Sequence, residues 1–245
     1  MTRLIGTLSM IILAASLLGG IATIVQDARL TRGRVIELPE LGLASRPDSL
    51  LGVNVHLLGS SPKKQAAALD KIQAAGFGWI RQKFDWSSLQ PAQQIFDWRG
   101  ADALVDAASQ RRLRLIAVLT NSPAWARPSA LNESVTAPPD DPQAFADFAA
   151  AVAARYADHL DFYQVWDEPN LQSGWGSRTP SAAEYSRLLE ASYNAIHAAD
   201  PSASLILGGL APTTEKGPQN ISDILFLRQL YASGAGPYFD AAAGK

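Results

Sequence analysis

The sequence predicts an α/β fold of the (β/α)8 TIM-barrel type, incomplete at about five βα units plus the start of strand six, and preceded by one N-terminal transmembrane helix. Three observations predict it. Strand-like apolar runs alternate with helix-period segments at spacings of roughly 30 to 45 residues, the length of a βαβ crossover in a parallel sheet. Polar and aromatic residues (His56, Arg81, Asp85, Trp86, Asn121, Trp125, Asp167 and Glu168) gather where those runs end, as they do at the C-terminal mouth of a barrel. The first run continues as "VNVHLLGSSPKK", without the G-x-G-x-x-G turn that an open dinucleotide-binding sheet carries.

The chain opens with Leu4 to Val25, 22 residues without a charge. At about 1.5 Å per residue a helix of that length crosses a hydrocarbon core of roughly 30 Å. It exceeds the 7 to 15 residues or so of a signal-peptide core, and no small-x-small cleavage site follows, so residues 1–25 are expected to be an uncleaved membrane anchor. The alternative is secretion after cleavage. Residues 26–49 mix charges with Gly33, Pro39 and Pro47 and read as a juxtamembrane linker; the folded body is expected over 50–245.

Within the body, "LLGVNVHLL" reads as the first strand, and Ala68, Leu69 and Ile72 mark a helix that Gly76 ends. "FGWIRQKFDW" is the second strand, followed by a helix through Ala101, Leu104, Val105 and Ala108. "RLIAVLTNSPAWA" is the third, and Phe145, Phe148, Ala149, Val152 and Tyr156 give its helix. "DFYQVWDEPN" is the fourth, with Tyr185, Leu188, Leu189, Ser192 and Ile196 after it. "SASLILGGLAP" is the fifth, with Ile224, Leu225, Leu227, Leu230 and Tyr231, and "YFDAAAGK" opens the sixth.

Composition narrows the function classes. With 47% hydrophobic and 18% charged residues the body can bury a core, and 21 Lys+Arg against 23 Asp+Glu offer no electrostatic footprint for nucleic acid. The absence of cysteine excludes disulfides and thiolate metal sites, and His56, His159 and His197 lack metal-ligand spacing, so no metal or other cofactor is expected.

"WDEPN", Trp166 to Asn170, resembles the W-N-E-P-N signature of the retaining glycoside hydrolases of clan A, which are built on (β/α)8 barrels. "FDWSSLQPAQQIFDWRG" resembles the clan's E-P-x-x-G-x-F-D-W turn, and "LTNSPAWA" its Y-x-P-x-W-A exit from strand three. The likeness runs from about Leu50 onward and is nearest to the xylosidase and iduronidase family, with the cellulase-like family next. The resemblance implies a carbohydrate substrate, Glu168 as the general acid/base, and Arg81 at the end of strand two as the clan's arginine that holds the nucleophile. Asp167 stands where the clan has Asn, which donates to a sugar 2-hydroxyl; an ionised Asp only accepts.

The chemistry of glycoside cleavage suits these residues. An acid must protonate the leaving oxygen, and a second carboxylate about 5 to 5.5 Å away must attack in retaining enzymes. Trp166 and Trp175 would supply apolar walls that desolvate Glu168, and a charged Asp167 beside it would help to keep it protonated, unless Asp167 is simply paired with a nearby Arg. Strict alternation points Asp167 and Glu168 to opposite faces, so both reach one site only if the strand frays or bulges at its end. His56 and Asn121 are candidates to hydrogen-bond sugar hydroxyls, and Trp86, Trp125 and Trp175 to stack on sugar faces. The clan's nucleophile lies on strand seven, and Asp85, Glu215 and Asp240 match no nucleophile motif. Two readings follow: the N-terminal portion of a membrane-anchored glycosidase, inactive by itself, or a noncatalytic glycan-binding or scaffold protein.

Overall fold

The computed structural model describes residues 50–128 and 134–244. The expected anchor, Leu4 to Val25, and the linker 26–49 lie outside the described residues; among those described, no helix is long and apolar enough to cross a membrane.

Six strands form one sheet in chain order, every neighbouring pair parallel. They are β1 (Gly52–Val55), β2 (Trp79–Asp85), β3 (Arg114–Thr120), β4 (Phe162–Asp167), β5 (Ser204–Leu210) and β6 (Ala241–Gly244). The intervening helices are α1 (Pro62–Ala74), the short α2 (Trp86–Leu89), α3 (Arg99–Gln110), α4 (Pro142–Tyr156), α5 (Ala182–Ala199) and α6 (Asp223–Ala232). Sequential parallel order with a crossover after each strand places every strand's C-terminal end on one rim. The α2 turn was not expected; it swings Trp86 out of the strand and into the core, where it is fully buried.

The sheet curls into part of a barrel, and side chains crossing its concave face show how tightly. Neighbouring strands lie about 4.8 Å apart, so on a flat sheet β1 and β4 would be about 14 Å from each other. Yet the Arg81 guanidinium on β2 reaches Asn54 Oδ1 on β1 at 3.3 Å and Gln164 Oε1 on β4 at 3.0 Å. Lower in the same face, Trp79 of β2 meets Phe162 of β4 with ring centroids 5.3 Å apart, and Arg114 of β3 lies 4.1 Å from the Trp79 ring centre.

The convex face buries the alternate residues against the helices. Ile80, Phe84, Ala117, Leu119, Tyr163, Val165, Leu205 and Leu207 are all buried. Local signals start the helices that cover them. Asp141 accepts from Gln143 N ahead of Pro142 at the head of α4, and Ser181 accepts from Glu184 N at the head of α5, with the Ser-x-x-Glu spacing of a capping box. An aromatic seam then runs under the rim: Trp125, Trp86, Phe145, Trp166, Trp175, Tyr185 and Phe226 touch in succession at 5.3, 5.6, 5.6, 5.8, 5.9 and 6.1 Å. Such ring pairs add about 0.5–1.5 kcal/mol each beyond their buried area, and this seam joins the exits of β2, β3 and β4 to α4, α5 and α6.

Candidate active site

The end of β4 departs from regular strand geometry, and the departure brings the site residues together. Trp166 and Glu168 have φ of 69° and 52°, a left-handed backbone that bulky side chains rarely adopt. The β4–β5 ladder pairs Val165 with Leu207 and resumes with Asp167 opposite Gly209. Between these pairs the Tyr185 hydroxyl of α5 takes over the sheet's bonding, accepting from Gly208 N at 2.7 Å and donating to Val165 O at 2.7 Å. Burial pushes the Tyr185 phenol well above its ordinary pKa, so it remains a donor. The left-handed turn at Trp166 resets the alternation without shifting the register: Gln164 and Asp167, three residues apart, both bond Arg81.

Glu168 follows directly and is half-buried, its N–H donating to Gly209 O at 3.1 Å and its carbonyl accepting from Leu171 N at 3.0 Å. Two glycines make room. A Cβ on Gly174 would lie 2.2 Å from Glu168 O, and one on Gly208 would lie 2.8 Å from the Tyr185 hydroxyl and 2.9 Å from Val165 O. Trp166 Nε1 donates to Gly174 O at 2.8 Å, tying the returning loop under the strand end. Beyond Pro169, the buried Asn170 accepts from Ala211 N and donates to Ala211 O and Ile221 O, fixing the β4 exit to the β5 exit.

Asp167 sits between two cations. Arg81 Nη2 meets its Oδ1 at 2.8 Å and Lys83 Nζ meets its Oδ2 at 2.9 Å, with the Asp167 side chain only 8% exposed. The pairing with Arg, open from the sequence, is therefore present, and Lys83 doubles it. The carboxylate is thus shared by two cations, one on each oxygen. Arg81 also needs a correction: it lies three residues into β2, which ends at Asp85. Its guanidinium serves Asn54, Gln164 and Asp167 through three separate nitrogens. Lys83 and Gln164 went unnamed in the sequence. Period two was the available signal, because Arg81, Lys83 and Asp85 alternate with the buried Ile80, Gln82 and Phe84.

The remaining candidates divide between the rim and the core. His56 follows β1 directly and is exposed; with Asp85 it lines a cleft of about 510 Å³ walled by Leu58, Leu89 and the Asp97–Arg99 pair. The Arg99 guanidinium holds the Asp97 carboxyl down near 2. Asn121, with φ 63°, donates its amide to Asp85, and its carbonyl accepts from Ser87 N at 2.9 Å, so the exits of β2 and β3 are joined. Trp125 is half-buried, its Nε1 donating to Gln90 O at 3.2 Å. Trp175 is 1% exposed, with Trp166 and Tyr185 against its ring, and is placed in the core rather than on the rim. Of the other carboxylates weighed, Glu215 accepts from Asn220 Nδ2 at 2.8 Å, and Asp240 accepts from Leu205 N near the start of β5, at the opposite end of the strands. Among the described residues, no three His, Cys, Asp or Glu side chains are grouped so as to hold a metal ion.

Comparison with known proteins adds the family. Residues 43–223 match the family model "Cellulase (glycosyl hydrolase family 5)", the cellulase-like of the two families that the motifs resemble. Among solved structures, the chain resembles a family 39 glycoside hydrolase from Bacteroides cellulosilyticus WH2, with TM-score 0.59 and 19% identity over 78% of this chain and 36% of that one. It resembles a beta-galactosidase from Marinomonas ef1 with TM-score 0.58 and 10% identity, over 79% and 40% of the two chains. It also resembles xylanase B from Clostridium stercorarium F9 with TM-score 0.50 and 16% identity, over 79% and 60%. At these identities the likeness is one of fold, and the chain spans 36 to 60% of the length of these three structures. No curated protein matches the sequence. The match over most of its length places this chain in glycosyl hydrolase family 5.

Proposed function

We propose that the chain carries the acid/base half of a retaining glycoside hydrolase that cleaves O-glycosyl bonds in oligo- or polysaccharides, with Glu168 as general acid/base. The observation that supports this best is the left-handed pair at the end of β4, Trp166 and Glu168, held by Tyr185, Gly208 and Gly174. Strained backbone kept by so many partners, at the C-terminal end of a barrel strand, is a mark of a functional position. In this reading Glu168 protonates the glycosidic oxygen as the bond to the anomeric carbon breaks. A carboxylate on the opposite face forms the glycosyl-enzyme, and Glu168 then takes a proton from the water that hydrolyses it. Arg81, Lys83 and Asp167 form the charged floor; His56 and Asn121 stand at the exits of β1 and β3, where sugar hydroxyls would be met, whereas Trp125 faces the flank beside α4. Trp175 acts from behind, as packing for the Glu168 loop.

The opposite carboxylate belongs to strand seven in the family pattern, and these 245 residues are proposed not to turn over glycosides unaided. Aryl glycosides test both halves. With good leaving groups the acid is hardly needed, so turnover by the 245-residue chain would show that it carries a nucleophile of its own. In a version that also carries strands seven and eight, Glu168→Ala should slow poor leaving groups far more than good ones; equal losses would remove Glu168 from the acid role. Leu4 to Val25 is proposed to anchor the protein with its body outside. It should remain in the membrane pellet after a carbonate wash and lose its body to protease added to intact cells, whereas a soluble product beginning after Ala28 would identify a cleaved signal.

A further inference from the structure

A second cleft opens on the barrel's flank, between the loop that leads from β2 to α3 and the outward face of α4. Its volume is about 480 Å³, within the roughly 300–1,000 Å³ of small-ligand sites. The loop is pinned at both ends, Asp97 N donating to Leu89 O at 2.8 Å and Trp125 Nε1 to Gln90 O at 3.2 Å. Its tip is a tight turn in which Ile95 N donates to Ala92 O at 3.1 Å and Gln94 takes φ 62°. Phe96 is braced by Trp98, their rings nearly parallel at 4.7 Å. Opposite, α4 offers Ala144, Phe148 and Ala151, positions four and three residues apart that share one face, so two small residues flank a ring and leave a trough.

The chemistry of this cleft selects one kind of occupant. The half-buried Trp125 and Phe96 supply aromatic surface, the partner that the apolar face of a sugar ring requires, while the buried Phe148 forms the floor beneath. Gln93 and Gln94 supply amides that both donate and accept, which suits hydroxyl groups, and Asp147 adds an acceptor. None of the lining residues is cationic, so nothing offsets the charge of a phosphate, sulfate or uronate, and Asp147 repels one. Because the loop is fixed before any ligand arrives, little ordering opposes binding.

We propose that this cleft is a second carbohydrate site, distinct from the rim beside Glu168, that holds a short stretch of a neutral polysaccharide. The loop and Trp125 follow the C-terminal ends of β2 and β3, so a chain held there lies at the same end of the sheet as Glu168. The proposal does not depend on the acid role of Glu168, since binding needs no turnover.

Affinity electrophoresis of the full chain in detergent tests it, with gels containing a neutral mixed-linkage β-glucan, a neutral xylan, anionic polygalacturonate or no polymer. A neutral polymer should retard the protein. Gln93→Ala/Gln94→Ala, and separately Ala151→Phe, which fills the trough while every polar group stays, should each weaken retardation at least tenfold. Glu168→Ala should leave it unchanged. Circular dichroism of each variant ensures that a loss is not unfolding. Retardation that survives both cleft variants, or is abolished by Glu168→Ala instead, would overturn the proposal, as would no retardation by either neutral polymer. Stronger retardation by polygalacturonate, lost in the cleft variants, would overturn the neutral assignment.

Discussion

Tyr185→Phe removes one oxygen from the fully buried middle of the structure, and its effect follows from what that oxygen holds. The hydroxyl accepts from Gly208 N and donates to Val165 O, both at 2.7 Å, where the left-handed turn at Trp166 interrupts the β4–β5 ladder. Phenylalanine fills the same space, so no cavity forms and the van der Waals contacts with Trp175 and Phe226 persist. What is lost is the satisfaction of two buried backbone groups, at about 1–3 kcal/mol each, hence about 2–6 kcal/mol in total. Against a typical stability of about 5–15 kcal/mol this is a large fraction. A urea titration followed by tryptophan fluorescence should show the midpoint falling by about 1–3 M for an m-value near 2 kcal/mol/M. Tyr238→Phe, whose hydroxyl serves only Glu190 at the exposed surface, is the control and should shift it little. A Tyr185→Phe midpoint within about 0.3 M of the parent, at unchanged m, would show that the two backbone groups find other partners and that Tyr185 does not shape the strand end.

Gly174→Ala drives a methyl to 2.2 Å from Glu168 O, so the loop or the strand end must move; a loss of about 1–3 kcal/mol in the same titration is expected, and an unchanged midpoint would refute the close packing. Asp167→Asn leaves Arg81 and Lys83 facing each other without their anion. Since those side chains are 21% and 40% exposed, the cost should fall below the 3–5 kcal/mol or so of a fully buried pair, at about 1–3 kcal/mol, and Lys83→Met in the same chain should restore most of it. Asp102, whose carboxyl is held below its ordinary 3.8 chiefly by the Arg155 side chain, should stabilise the fold above about pH 4 and lose that contribution as pH falls through its lower folded value. Asp102→Asn should flatten the acid limb of the stability profile, and an unaltered limb would mean that the Arg155 pair is not felt in solution.

The βα order was legible in the sequence because it rests on local periodicity: Ala101, Leu104, Val105 and Ala108 mark α3, and all four are buried. The position of Glu168 at the end of a strand was legible from the apolar run before it. Trp166 in a left-handed backbone was not, since tryptophan disfavours that region and only the surrounding structure holds it there. The need for an irregular strand end could be stated, but the residue that holds it, Tyr185, lies 19 residues beyond Trp166 on a helix where it reads as one more core aromatic. Trp175 shows the converse limit. An indole after the WDEPN segment looks the same in sequence whether it faces solvent or core, and here tertiary packing decides for the core.

The pairing of Lys83 and Asp167 also constrains how such a chain changes over generations. Asparagine at 167 alone would strand a cation beneath the rim, and a neutral residue at 83 alone would leave half of a carboxylate without its partner. Each single step passes through a less stable intermediate, while the double exchange leaves only Arg81, which keeps Gln164 and Asn54 as partners. Positions 83 and 167, far apart in the chain and on strands separated by β3, are therefore expected to change together.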